Sequence, residues 1–449
     1  MSNAEQTVIL GSGDVGLSTA YYVLKLSPTS KVVLVENSLS RTIAGGASSF
    51  AGGFITGGSS WHDGLSTSLA ALSWASHLEM ADDLDGAERW GFRECGAAGL
   101  NVGGLDEDRS EYRHLPQGAG RQKLEGVGKD LPEGTWVEGE REELSTDGGV
   151  GQVDPAQFCS TVYTHLAAYP KRFQVVFGKP TTPPPSSSLA ERNLLVHLTP
   201  DPTSSTTSSA SSILLPFTKL VIAAGPWSGA VCTEFGLSAI PLTNLPGHSL
   251  LIRPSLSGYL GGDELPSEAV FAGIAGAVGG VHASTSGLAR GLTDEEKKEG
   301  YTRSPELFCR KNGLVFVAGD DRIPETTPAP GHLDNKLPPT VDGVKDLLDP
   351  NLIKRLKHAA GAASPLLKEE NGAVIEAEQF CYRPVFADRE PAVGELEKDI
   401  YLATGHGPWG IALAPGTGKV IAELALGLPV SADIEALSPA RFSKPEYKY

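Results

Sequence analysis

Basic side chains are in short supply along this 449-residue chain: 37 Lys and Arg face 54 Asp and Glu, a formal net charge of -17. A surface this acidic repels phosphate backbones and anionic lipid headgroups, so nucleic acid is excluded as a partner and so is electrostatic docking on a membrane. Cysteine is scarce too. Cys95, Cys159, Cys232, Cys309 and Cys381 form no Cys-x-x-Cys pair and are odd in number. That excludes a zinc ribbon and points to a reducing compartment. No apolar run is long enough to serve as a transmembrane segment. No basic leader precedes Val8-Ile9-Leu10, and Glu446-Tyr447-Lys448-Tyr449 is not a peroxisomal address, so a cytoplasmic protein is expected. A Ser-His-Asp set, paired carboxylates at usable spacing and clustered metal ligands are also missing, so no metal site is expected.

What remains is enough for ordered cores. The hydrophobic fraction is 40%, and the length suggests two domains. The chain opens as strand, turn, helix, strand: an apolar run at residues 7–10, a helical pattern at 17–26, and a β-branched run at 31–36. Two parallel strands joined by a crossover helix belong to an α/β sheet. The turn between the first strand and the helix reads Gly11-Ser12-Gly13-Asp14-Val15-Gly16. In such a G-x-G-x-x-G turn the first glycine permits the tight bend and the second lets backbone approach a pyrophosphate. The third lets the helix pack on the sheet, and the helix start offers free N–H groups. Glu36 follows about twenty residues later, at the end of the second strand, where an acid can accept hydrogen bonds from ribose hydroxyls. A dinucleotide is therefore expected. Residues 41–53, Arg41-Thr42-Ile43-Ala44-Gly45-Gly46-Ala47-Ser48-Ser49-Phe50-Ala51-Gly52-Gly53, favour FAD over NAD, because small residues let a wide isoalloxazine lie close to the backbone. The alternatives are an ordinary flexible loop and a nicotinamide cofactor.

Residues 106–151 are charged and glycine-rich and read as loops with one or two strands. Residues 181–188 (TTPPPSSS) and 203–212 (TSSTTSSASS) are low in complexity and bracket the apolar run 194–198, as tips of hairpins would. Apolar strands are expected at 220–224, 313–318 and 400–404, and a terminal helix at 418–427.

These pieces, in this order, resemble the D-amino acid oxidase superfamily of flavoproteins, which includes glycine and sarcosine oxidases. The likeness continues through Gly151-Gln152-Val153-Asp154-Pro155, Ala223-Ala224-Gly225-Pro226-Trp227-Ser228, Cys381-Tyr382-Arg383-Pro384 and Gly405-His406-Gly407-Pro408-Trp409-Gly410. Residues 43–53, 78–86 and 90–93 are similar to a fungal subgroup linked to late-endosome recycling, whose substrate is undefined.

The resemblance implies a Rossmann-like FAD-binding α/β domain at residues 1–60, 150–232 and 384–440, with an inserted antiparallel-sheet substrate domain at 61–149 and 233–383. It implies that Gly11, Gly13 and Gly16 hold the pyrophosphate, Glu36 the adenosine ribose, and Ala47 and Ser48 the ribityl chain and ring. Val175 or Val176 would meet adenine through its backbone, Gly225 and Trp227 would sit beside the cofactor, and Gly405, His406, Gly407, Trp409 and Gly410 would line the ring's pyrimidine side. Arg383 would fork onto a substrate carboxylate, its alternative being an ion pair with Asp388 or Glu390. His248 is either a residue facing the flavin or a hydrogen-bonded loop histidine, and Cys381 either a covalent flavin link or a buried inert thiol. The implied reaction removes hydride from a carbon next to nitrogen, giving an imine, with FAD reoxidised by dioxygen. The partners are thus a small amine or amino acid and dioxygen. The other function left open is a flavin-containing trafficking or scaffold factor near endosomes.

Overall fold

In the computed structural model, which describes residues 5–102, 135–144, 149–183, 189, 191–201, 211–274, 304–320 and 337–443, β1 (Gln6–Leu10) enters α1 (Asp14–Leu26) through the glycine turn. β2 (Lys31–Glu36) then returns parallel to β1 with Val8 beside Val33. Ile9 enters one apolar core with Leu17 and Val23, whereas Val8 and Leu10 enter a second core with Phe235 on the other face. Both faces are covered, which is why this strand reads as an unbroken apolar run.

β8 (Phe173–Thr181), β11 (Lys219–Ile222) and β18 (Ile400–Thr404) continue the parallel core. β9 (Asn193–Leu198), β10 (Ser212–Pro216) and β17 (Ala392–Glu397) pair antiparallel at its edges. The eight strands run in the order β10-β9-β8-β2-β1-β11-β18-β17. β9 and β10 form the expected hairpin. Its low-complexity tip at 202–210 and residues 184–188 lie outside the described residues. The first two strands of the chain thus lie at the middle of the sheet, flanked by strands from distant parts of the sequence.

The second sheet has seven strands in the order β16-β12-β15-β14-β13-β5-β6. These are β5 (Gly96–Val102), β6 (Glu140–Glu143), β12 (Thr243–Arg253), β13 (Glu268–Ile274), β14 (Glu306–Cys309), β15 (Val315–Asp320) and β16 (Val374–Val385). It is antiparallel except where β13 meets β5. β6 and the start of β7 (Val150–Gln152) are the strands described within 106–151; residues 106–134 and 145–148 of that region lie outside the described residues. A short third sheet joins β3 (Phe54–Thr56), β4 (Arg93–Glu94) and β7 (Val150–Gln152). The expected α/β fold with a second, mainly antiparallel sheet is therefore present.

The remaining helices are α2 (Thr67–Leu84), α3 (Gly86–Arg89), α4 (Pro155–Ala167), α5 (Ser228–Glu234), α6 (Pro350–Ala363) and α7 (Gly410–Leu426). Asp154 caps α4 by accepting the Gln157 N–H at 3.1 Å, with Pro155 in the first turn. α2 falls in the range expected for the second domain, yet it packs on the first: Leu69, Ala70 and Met80 share a core with Ile9 and Leu34. α7 begins at Gly410, earlier than the expected start at 418, and carries Pro415 and two glycines inside it. Breaker residues conceal its first two turns in the sequence. In the fold the glycines are demanded by packing, since a Cβ on Gly416 would lie 2.8 Å from Ser73, and one on Gly418 2.5 Å from the Ser18 backbone. Among the described residues no helix is long and apolar enough to cross a membrane.

Gly418→Ala tests this packing. Helix propensity alone favours alanine by about 1 kcal/mol, but the added methyl meets backbone and should cost about 1–3 kcal/mol of overpacking. Urea denaturation should therefore show a net loss of stability; a midpoint at or above the parent's would refute the close contact.

Candidate active site

A cavity of about 600 Å³ opens where the carboxyl ends of β1, β2, β11 and β18 face the second sheet. Crevices at the carboxyl ends of parallel strands are the binding places of open α/β folds.

The glycine turn forms one wall. Gly11 has φ +103, and a Cβ there would lie 2.3 Å from the Ala223 carbonyl oxygen. A Cβ on Gly16 would lie 2.1 Å from the Gly11 carbonyl oxygen, so α1 can sit against the turn only with glycine at that position. Glu36 reaches back across the turn and accepts hydrogen bonds from the Ser12 N–H at 2.7 Å and hydroxyl at 2.6 Å. Burial raises its carboxyl pKa, against the pull of those two bonds. Asp14 occupies the start of α1. Its Oδ1 accepts the Val15 N–H at 2.8 Å, and its own N–H donates to the Ser48 hydroxyl at 3.0 Å. Burial raises this carboxyl too, outweighing the stabilising bonds from Ser48 and the backbone.

After β18, His406 is buried and hydrogen-bonded to the Thr417 hydroxyl at 3.0 Å; burial pushes its pKa down to about 4, so it is neutral. Trp409 backs onto His62, with ring centroids 4.5 Å apart. His62 is likewise held neutral by burial, with a pKa of about 4. α7 starts at Gly410 and aims its N-terminus into this region.

The second sheet supplies the facing wall. Arg383 on β16 stands opposite Leu245 of β12 and donates from Nη2 to the Pro246 carbonyl at 3.3 Å. Its guanidinium lies over Gly247, where a Cβ would come within 2.9 Å of it. The two acids considered as structural partners are engaged elsewhere: Asp388 with Arg441 at 2.9 Å, and Glu390 with the Leu65 N–H at 2.9 Å. Phe271, Phe308 and Phe316 stand on adjacent strands, the last two directly opposed and stacked with centroids 5.8 Å apart. Cross-strand aromatic pairs of this kind stiffen a sheet face.

Of the residues expected from sequence, Gly11, Gly13, Glu36, Ala47, Ser48, Gly225, Trp227, His248, Cys381, Arg383, His406, Gly407, Trp409 and Gly410 line this one cavity. Three do not. Gly16 supports the turn from behind. Val176 pairs with Val35 inside the sheet, and β8 reaches the cavity at Lys179 and Pro180 instead. Gly405, at φ +84, leaves room for the Phe386 ring. His248 lies on a strand and not in a loop; its Nε2 accepts the Asp349 N–H at 2.9 Å, which removes that nitrogen as a base. Sequence reasoning missed Asp14, His62 and the phenylalanine face. The last gives no period-2 signal, because β13 to β15 are apolar on both faces.

The family model described as DAO, FAD dependent oxidoreductase, matches residues 6–424. The chain belongs to this family. A Schizosaccharomyces pombe protein named as an oxidoreductase, C1F5.03c, is 27% identical over 98% of this chain and 99% of its own. Among solved structures, glycine oxidase from Geobacillus kaustophilus aligns with a TM-score of 0.63 at 19% identity, covering 97% of this chain and 98% of the other. L-proline dehydrogenase from P. horikoshii aligns with a TM-score of 0.64 at 15% identity, with all of both chains covered. The DAO family member described here is an FAD-dependent oxidoreductase, and its cavity fits that cofactor. Gly225 and Gly407 hold φ +53 and +56 with open space where a Cβ would stand. Among the described residues no group of His, Cys, Asp or Glu could hold a metal ion.

The acid at position 14 makes a prediction about pH. FAD carries a diphosphate; were it to lie beside Asp14 it would raise that carboxyl further, so binding would take up a proton and affinity would fall as pH rises. Asp14→Asn should flatten this dependence and tighten FAD binding at neutral pH, read from quenching of FAD fluorescence. An affinity equal at mildly acidic and mildly alkaline pH in the parent protein would rule the coupling out.

Proposed function

We propose that this protein oxidises the C–N bond of an amine or amino acid bearing a carboxylate, giving an imine that water hydrolyses. The observation that carries the reading is the Arg383 guanidinium on the wall facing the cofactor turn, in a chain with a large surplus of acid. Bound FAD would supply the two-electron oxidation, with dioxygen as the final acceptor.

On this reading Gly11, Gly13 and the start of α1 hold the cofactor's diphosphate, and Glu36 turns from Ser12 to the adenosine ribose. Ala47 and Ser48 pass the ribityl chain, and the stretch from His406 to Gly410 meets the polar edge of the ring, where the α7 N-terminus favours negative charge. Arg383 forks onto the substrate carboxylate; Gly247 leaves the guanidinium the room to do so. Phe271, Phe308 and Phe316 exclude water and receive the apolar part of the substrate. The amine binds neutral, because the His248 Nε2 lone pair is already committed to Asp349. Cys381 stays unbonded to the flavin on this view, a buried thiol in β16 opposite Gly247. The likeness to a fungal subgroup linked to late-endosome recycling supports a place of work in the cytoplasm, at or near endosomes.

The purified protein should be yellow, and its flavin band at roughly 450 nm should bleach anaerobically with some member of an amine and amino-acid panel. If a broad panel leaves the band untouched, a flavin-bearing scaffold becomes the better description. Arg383→Ala should raise KM for carboxylate substrates about ten- to a hundredfold while changing kcat less, with partial rescue by Arg383→Lys. Unchanged kinetics would remove Arg383 from substrate binding. Acid precipitation should leave the flavin in the supernatant; flavin carried into the pellet would establish the Cys381 link instead.

A further inference from the structure

Residues 337–348 run along the cavity and lead into α6 at Pro350. Leu337, Pro338, Pro339, Thr340 and Val341 line the same cavity as the glycine turn and Glu36. Past them the chain forms a short 3-10 run at Val341–Leu347, anchored by Val344, which is buried against Phe380 and Tyr382 of β16. One end of this strap therefore belongs to the second sheet.

Leu337 packs against the same cluster, while the strap's side-chain hydrogen bonds reach segments that follow strands of the first sheet. The Asp342 carboxylate accepts the Leu39 N–H at 2.6 Å and the Ser40 N–H at 3.0 Å, and the Ser38 hydroxyl donates to it at 3.4 Å. These residues directly follow β2, just beyond Glu36. Asn37 Nδ2 donates to the Pro339 carbonyl at 3.0 Å, and Trp227 Nε1 to the Pro338 carbonyl at 2.8 Å. Val341 packs at the positions of Gly45 and Gly46, where a Cβ would lie 3.5 Å and 3.6 Å from its methyl groups. The strap is stiff where it spans, since two consecutive prolines fix φ. Its hold is electrostatic where it lands. The bonds at Asp342 keep its carboxyl below the usual carboxylate range, against the effect of its partial burial.

We propose that residues 337–342 form a strap that gates FAD, with Asp342 as the positioning residue that latches it over the adenosine end of the cofactor. The proposal rests on the reading that FAD lies along the glycine turn with its ribose at Glu36. A cofactor so placed sits under the strap and leaves only when Asp342 releases the backbone after β2. The strap thus acts on cofactor exchange and has no part in the chemistry at the far end of the cavity.

A gate and a simple contact differ in kinetics. Losing a direct contact raises the release rate alone, whereas loosening a gate raises release and association together. FAD release from the full-length holoprotein can be followed by recovery of free-flavin fluorescence after dilution, and association by quenching when FAD is added back. Asp342→Ala should speed release at least about tenfold, and association by a similar factor, leaving the dissociation constant much less changed. Asn37→Ala, which removes a separate tie from a half-buried residue at the cavity's edge, should move both rates the same way by a smaller factor, and it decides the matter should Asp342→Ala fail to fold. Release rates equal to the parent's in these variants would overturn the strap, as would faster release with unchanged association. Failure of the parent protein itself to bind FAD would instead overturn the placement on which the strap rests.

Discussion

The fold turns on a contact between two stretches of backbone, the start of α1 against the Gly11 carbonyl, with no side chain able to stand between them. That closeness fixes where the α1 N-terminus points, and so which end of the sheet carries free N–H groups and a positive dipole. It also fixes how far α1 lies from the sheet, and hence where α7 can lie, because α7 crosses α1 at Gly418 with the same lack of a side chain. The α7 N-terminus then opens into the cavity beside that of α1, where a Cβ on Gly410 would lie 3.8 Å from Asp14 Oδ2. Two helix starts thus converge on one cavity, held at that spacing by glycines at both ends of the chain. A methyl group at any of these positions acts on the cavity through the spacing of the helices, even when it touches no ligand.

The second sheet is joined to this frame by buried cations, few as they are in so acidic a chain. Arg310, 5% exposed, follows β14; it donates to the Ala51 carbonyl at 2.9 Å and pairs with the α4 cap Asp154 at 3.5 Å. One guanidinium therefore ties the second sheet, the small-residue loop that borders the cavity and the helix after β7. Burial lowers the pKa of Arg310, with Asp154 opposing the shift. Removing its partner would leave a buried charge uncompensated, a far heavier loss than that of a surface ion pair. Lys25 plays a related part among the helices, bridging α1 to Glu79 and Asp83 of α2, but at the surface, where such pairs contribute little each.

Elements whose local sequence agrees with their place in the fold were legible. The first βαβ unit, the strand at 400–404 and the β9–β10 hairpin follow from apolar runs bounded by turn residues. Elements whose residues serve a distant partner were not. The first two turns of α7 are hidden because Gly416, Gly418 and Pro415 read as breakers, and only the packing of Ser73 and Ser18 against the glycines makes them suitable. The place of α2 was missed because apolar spacing shows that a helix has a buried face but not which sheet covers it. At the site, residues carried by short motifs assembled into one cavity. Val176 did not, since a strand's reach into a crevice depends on the length of its neighbours. The Asp342 contacts join residues some three hundred positions apart, and neither segment has a pattern that announces the other.

The distribution of charge inside the cavity has a consequence for selectivity. His62 and His406 are held neutral with pKa values near 4 by burial, so neither gains a charge as pH moves through the physiological range. His248 commits its Nε2 lone pair to a backbone N–H. The positive potential available to a ligand therefore comes from the Arg383 guanidinium, the Lys179 ammonium and the starts of α1 and α7. Among the acids that line the cavity, burial raises the carboxyl pKa of Glu36 and Asp14 at the glycine turn, which softens their repulsion of an anion there, while Glu306 stands on β14 in the facing sheet. The cavity thus sets titratable carboxyls at the turn against the permanent charge of Arg383 on the other wall.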